Sequence, residues 1–143
     1  MAKYNYFPND FVGTLYFVKV DKLDINGKYS FELGNLSEAA VNMLSKAGAK
    51  VKYVEDDKYG RGHYVGISSK YPWEIELGEG VEIDEDKDIG NGSTAQITLA
   101  TYYHNRAHNN GIGLTALGKI LLTSYVPYDA SEAAEDRPRK EAI

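Results

Sequence analysis

The 143-residue sequence predicts an all-β fold, an OB-like Greek-key β-barrel with one inserted α-helix and a β-hairpin extension. Three observations carry this expectation. Most of the chain falls into short segments that alternate polar and apolar residues, the two-residue period of a half-buried strand. Glycine, asparagine and aspartate punctuate those segments at close, regular spacing. Only one stretch, Leu36 to Ala47, repeats its apolar residues at helical spacing.

The elements follow in order. Gly13 to Val20 reads as a first strand, apolar on both faces through Leu15, Tyr16, Phe17 and Val18. Asn26-Gly27 is a hairpin signal, and Tyr29, Phe31 and Leu33 then alternate with Lys28, Ser30 and Glu32. Asn35, with Glu38 three residues on, has the spacing of a capping box and predicts the helix start. Leu36, Ala40, Met43, Leu44 and Ala47 form its apolar stripe, and Gly48 is its expected stop. Strand patterns return at Lys50 to Val54 and at His63 to Ser68. Glu74 to Ile83 reads as extended and broken at Gly78 and Gly80, and Glu82 to Asp88 as a charged loop. Ala95 to Tyr103 is a clear strand, Asn109-Asn110-Gly111 closes a hairpin, and Ile112 to Val126 is a long last strand bulged near Gly118. Six or seven strands with one helix match a five-stranded OB core carrying an extra hairpin. Residues 1–128 form the expected domain. From Tyr128 onward periodicity is lost, so 129–143 is expected to be a disordered tail.

Composition narrows the function classes. The chain has no cysteine, which excludes disulfides and thiolate metal sites. No apolar run is long enough to span a bilayer, and Met1-Ala2-Lys3-Tyr4-Asn5 lacks a signal peptide's apolar segment. A soluble cytoplasmic protein is expected. The net charge of −5 is unevenly spread: residues 74–88 hold eight acidic side chains against one basic, whereas residues 50–73 hold five basic against three acidic. Local field rather than total charge steers a polyanion, and it acts over about 8 Å at physiological salt.

The basic stretch is also ring-rich. Tyr53, Tyr59, Tyr64, Tyr71 and Trp73 interleave with Lys50, Lys52, Lys58, Arg61 and Lys70. Rings stack on unpaired bases and cations neutralise phosphates, and loss of one stacking ring typically costs about 1–3 kcal/mol. Tyrosine is also simply a good strand residue, so the same pattern serves a fold with no ligand. Tyr102 and Arg106, at the end of the next strand and in its turn, add a second ring-and-cation pair, and Lys119 a further cation. Strand phase sorts these candidates. Tyr53 runs with Val51 and Tyr103 with Leu99, which predicts both as core. Tyr64, Trp73, Tyr102, Lys50, Lys52, Arg61 and Arg106 lie on the polar phase or in loops and are the favoured contacts.

Other chemistry finds little support. His104 and His108 are four apart, but in a strand end and turn rather than on a helix, and no third ligand accompanies them. Asp84, Asp86 and Asp88 resemble the start of a calcium loop, yet Ile89 and Ala95 stand where glycine and glutamate are required. Asn35-Leu36-Ser37 and Asn91-Gly92-Ser93 match the glycosylation sequon without any secretion signal. No nucleophile elbow or phosphate-cradling glycine loop is present. No catalytic residue, metal or cofactor is expected, and the chain reads as a binding protein rather than an enzyme.

The run Asp88-Ile89-Gly90-Asn91-Gly92-Ser93, the strand through Tyr103, and Gly113-Leu114-Thr115-Ala116-Leu117-Gly118-Lys119-Ile120-Leu121-Leu122 resemble the C-terminal half of podovirus-type phage single-stranded DNA-binding proteins. The resemblance covers about residues 85–126. It implies an OB barrel that coats unpaired DNA, largely without sequence preference, during phage replication and recombination in the host cytoplasm. It also implies phage replication proteins as partners through an acidic C-terminal tail. Here residues 129–143 are only net −2 and include Arg137, Arg139 and Lys140. An exposed edge strand would permit a homo-oligomer, but no residue specifies one. The alternative expectation is a β-rich phage structural or adaptor protein using its tyrosine-rich surface for protein contacts. A third class, a small metal-dependent nuclease, would need a carboxylate or histidine cluster.

Overall fold

The structure is a computed structural model that describes residues 4–19, 27–55, 60–84, 87–103 and 111–128. It is mostly β, as the alternation predicts. The strands are β1 (Tyr4–Tyr6), β2 (Phe11–Lys19), β3 (Tyr29–Gly34), β4 (Lys52–Val54), β5 (Gly62–Ser69), β6 (Ile75–Leu77), β7 (Thr94–Tyr103) and β8 (Ile112–Ser124). One helix, α1 (Glu38–Lys46), lies between β3 and β4. They form one sheet in the order β4-β5-β3-β2-β7-β8-β6, with β1 added to β7. All pairings are antiparallel except β6 with β8. Although distant in that order, β5 and β8 approach each other, so the sheet curls around its core as an OB-like barrel does.

The core follows from the two-residue period. Leu15 pairs with Leu33, Leu33 with Val65, and Phe31 with Ile67, so these apolar side chains share the inner face. Ala95, Ile97 and Leu99 of β7 and Ile120 and Leu122 of β8 continue it. Leu36, Ala40 and Leu44 bring the helix onto the same cluster. At roughly 25 cal/mol per Å² of apolar surface, each fully buried leucine or isoleucine contributes about 1.5–3 kcal/mol.

The helix begins later than its sequence suggests. Ser37, not Asn35, is the cap, and its hydroxyl accepts from the Ala40 N–H at 3.1 Å. Asn35 instead adopts φ 53°, which asparagine tolerates better than most residues. Its Nδ2 donates to the Tyr16 hydroxyl at 2.9 Å and to Thr14 Oγ1 at 3.2 Å. The helix stop is as expected. Gly48 takes φ 86°, and the N–H groups of Gly48 and Ala49 donate to the carbonyls of Ser45 and Leu44 in a Schellman motif.

Further differences have local causes. Tyr4–Tyr6 is a strand too short to show alternation in the sequence. The first long strand starts at Phe11, ahead of the Gly13 expected. Within 74–83 only Ile75–Leu77 pairs, running parallel to β8. Tyr53 and Tyr103, expected inside, are 58% and 72% exposed. Both lie where their strands project beyond the core, so phase with an apolar neighbour buries nothing. The expected bulge at Gly118 is present: the residue has φ 73°, and the β7–β8 register shifts beside it. The turn at Asn26 and the proposed tail lie outside the described residues. No described helix is long and apolar enough to cross a membrane.

Candidate nucleic-acid interface

The outer face of β5, β3 and β2 can be built row by row from the strand register. Lys52 stands opposite Tyr64. Gly66 stands opposite Glu32, which stands opposite Tyr16. Ser68 stands opposite Ser30, which stands opposite Lys19. Opposed residues share a face, as do alternate residues along one strand. One surface therefore carries a ring and a lysine at one end, a lysine at the other, and between them Gly66 and two serines beside Glu32 and the buried Tyr16. The small residues leave a cleft of about 270 Å³ lined by Phe17, Ser30, Phe31, Glu32, Gly66, Ile67 and Ser68.

Phe17 enters this face because β2 is bulged. The β2–β3 register shifts between Tyr16 and Lys19, and Phe17 sits in that interval with φ 51°. A bulge residue in the left-handed region is ordinarily glycine. Here the bulge is held by a distant group, since the Phe17 N–H donates to Asn91 Oδ1 at 2.7 Å. Asn91 belongs to the glycine-rich run 88–93, which is itself tied down. The N–H of Gly92 donates to the Leu15 carbonyl, and the N–H of Leu15 donates to the Ser93 carbonyl. The fully buried Ser93 hydroxyl accepts from the Val126 N–H at 2.8 Å and contacts the Val126 carbonyl at 3.2 Å. The motif thus clamps β2 to the end of β8 and turns the Phe17 ring outward, where it is 41% exposed.

Arg61 completes the arrangement. Its guanidinium carbon lies 4.5 Å from the Tyr64 ring centroid and 5.4 Å from that of Phe17. Its Nη1 donates to Glu32 Oε1 at 2.6 Å, with both side chains largely covered. The Arg61 carbonyl accepts from the Asn35 N–H at 2.7 Å and the His63 carbonyl from the Leu36 N–H at 3.1 Å, which fixes this part of the backbone. The result is a flat cation between two rings, anchored by a carboxylate. Such a surface offers stacking faces rather than a catalytic constellation.

Of the residues singled out in the sequence, the structure brings Lys52, Arg61 and Tyr64 together here. Lys50 is exposed just before β4. Lys70 and Tyr71 follow the Ser68 end of β5, and Tyr71 is 75% exposed. Trp73 is turned inward. Its ring meets Phe31 edge-on at 4.9 Å, and its Nε1 donates to the Ala116 carbonyl at 3.1 Å. Tyr102 lies on the outer face at the far end of β7, eight residues from Thr94 and thus about 27 Å along the strand. It meets Tyr4 edge-on at 6.0 Å and covers Gly113. Lys119 lies 3.8 Å from Glu74, so its charge is partly answered. Lys58, Tyr59 and Arg106 lie outside the described residues.

Sequence reasoning passed over Phe17, Lys19, Ser30, Glu32, Gly66 and Ser68. One signal was available for Phe17. Four consecutive apolar residues, Leu15 to Val18, cannot all face inward from a regular strand, so a bulge or an exposed ring was implied. Among the described residues no group of three histidine or acidic side chains is placed to hold a metal ion.

Comparison with known proteins bears on the fold. No protein-family model matches the chain, and no curated protein matches it in sequence. Among solved structures, one from a bacteriophage shares its fold. The crystal structure of gp2.5, a single-stranded DNA-binding protein encoded by bacteriophage T7, aligns with a TM-score of 0.52 at 13% identity. The alignment covers 100% of this chain and 99% of gp2.5. At that identity the likeness concerns the fold alone.

Proposed function

We propose that this protein binds single-stranded DNA on the outer face of β5, β3 and β2. The observation that carries the reading is Arg61 packed between Tyr64 and Phe17 beside an open cleft. Bases in a duplex already stack on one another, whereas unpaired bases have free faces for rings such as those that Arg61 holds in place. Lys52 and Lys19 at opposite ends of the face, with Lys50 and Lys70 nearby, supply phosphate contacts. Coating of unpaired DNA, largely without sequence preference, during phage replication and recombination fits this arrangement and the likeness to gp2.5. Residues 129–143 are proposed as the segment that meets replication proteins.

The test is a gel shift with single-stranded and duplex DNA of equal length at two salt concentrations. Single-stranded DNA is expected to bind preferentially. Its affinity should fall with salt at a log–log slope of about −0.7 per phosphate neutralised. Equal binding of both forms would refute the reading.

A second reading rests on a different surface. Tyr4, Tyr6 and Val12 are exposed, with Tyr102 beside Tyr4, on the β1–β7–β2 side. A structural or adaptor protein would use such a patch for apolar protein contacts, and those would not weaken with salt.

A further inference from the structure

We infer that the cleft beside Phe17 receives one unpaired base by its Watson–Crick edge and favours a base with an exocyclic amine, cytosine over thymine. This rests on the reading of the face as a single-strand site and adds a base preference at one nucleotide position.

Size, shape and chemistry carry the argument. At about 270 Å³ the cleft falls below the roughly 300–1,000 Å³ of sites for drug-sized ligands, so it suits one planar heterocycle. Phe17 provides a ring at its wall. Gly66 leaves it open, because a Cβ placed there would meet no atom within 4 Å. The residues with polar side chains among its lining are Glu32, Ser30 and Ser68, and the two serines stand opposite each other. Arg61 fixes the carboxylate through Oε1 at 2.6 Å. A carboxylate offers acceptors only, while a serine hydroxyl can donate or accept. Cytosine presents a matching edge, with its amine toward the carboxylate and its ring nitrogen and carbonyl toward the hydroxyls. Thymine puts a carbonyl oxygen where cytosine has its amine. Its one N–H is flanked by carbonyls, so a carboxylate that reaches it also meets an oxygen. Glutamate accepting from the cytosine amine is an established mode of base readout.

The experiment measures affinities of short oligo-dC and oligo-dT of equal length by fluorescence anisotropy, at neutral pH and fixed salt, for the wild type and Glu32→Gln. The wild type is expected to bind oligo-dC on the order of tenfold more tightly. Glu32→Gln presents a donor as well as an acceptor, so its preference should fall close to unity. Because the readout is a ratio, the charge gained in the variant affects both oligonucleotides alike. A second variant, Gly66→Val, keeps the carboxylate but fills the cleft beside it, and should also flatten the ratio. A wild-type ratio near unity, or the same ratio in wild type and both variants, overturns the inference while leaving single-strand binding intact. Failure of the wild type to bind either oligonucleotide overturns both.

Discussion

The backbone N–H of Phe17 donates to the side chain of Asn91 at 2.7 Å, across 74 residues of sequence. This bond ties the glycine-rich run 88–93 to the bulge that exposes an aromatic ring on the proposed DNA face. Phe17 holds φ 51°, a conformation that costs a non-glycine residue of order 1 kcal/mol or more.

Phe17→Gly therefore separates stability from binding. Glycine relieves the backbone cost and removes a ring that is 41% exposed. The melting temperature is expected to hold or rise. Affinity for single-stranded DNA is expected to fall by on the order of tenfold, the loss of one stacking partner. A variant that binds as well as wild type would mean that the ring stacks on nothing.

Two glycines of the same sheet should respond in opposite ways. At Gly66 a Cβ enters open space above the cleft, while at Gly13 it would lie 2.8 Å from Leu33 side-chain atoms and the Gly34 carbonyl. Gly66→Val is expected to keep the fold and weaken DNA binding. Gly13→Val is expected to destabilise the protein by about 1–3 kcal/mol through overpacking. Thermal melts and oligonucleotide titrations of both variants check this contrast.

Trp73 is predicted to act through the core. Trp73→Phe removes an N–H donor to the Ala116 carbonyl, at a cost of about 0.5–1.5 kcal/mol, and should leave DNA affinity unchanged where the variant is folded. Tryptophan emission of the wild type should accordingly change little as oligo-dT saturates the protein. Strong quenching would place the indole at the bound strand.

Asp10 gives a pH signature. Hydrogen bonds from Gln96, then Thr98, hold its carboxyl below the ordinary value of 3.8, outweighing the opposing effect of burial. A depressed folded-state value means that the carboxylate's stabilisation is present above the unfolded value and lost as pH falls through the folded one. Asp10→Asn is therefore expected to melt below wild type at neutral pH. The gap should close on acidification below 3.8. Melting temperature measured against pH for both proteins tests the sign.

Local pattern made much of the fold legible. The alternation of Phe31 and Leu33, of Val65 and Ile67, and of Ala95 through Leu99 marks the inner face, because a barrel wall buries every second residue. Gly48 and Gly118 were readable because a helix stop and a bulge each demand positive φ. The helix cap was ambiguous, since Asn35 and Ser37 are both capping residues and the choice depends on Tyr16 and Thr14 claiming the Asn35 side chain. The candidate site was half legible. Lys52, Arg61 and Tyr64 stand out as cations and a ring on one polar phase. Phe17 reaches the face only through Asn91, and Glu32 reads as an ordinary solvated acid until Arg61 is seen beside it. Trp73 misled because its position in a loop before β6 says nothing of the way the loop folds onto Phe31.

The most direct test of where DNA binds is a ¹H–¹⁵N spectrum of the labelled protein titrated with a short single-stranded oligonucleotide. Shifts are expected to concentrate at the amides of Phe17, Ser30, Glu32, Tyr64, Gly66 and Ser68. If those amides stay still while Tyr4, Tyr6 and Tyr102 move, the strand lies on another surface and the account is contradicted.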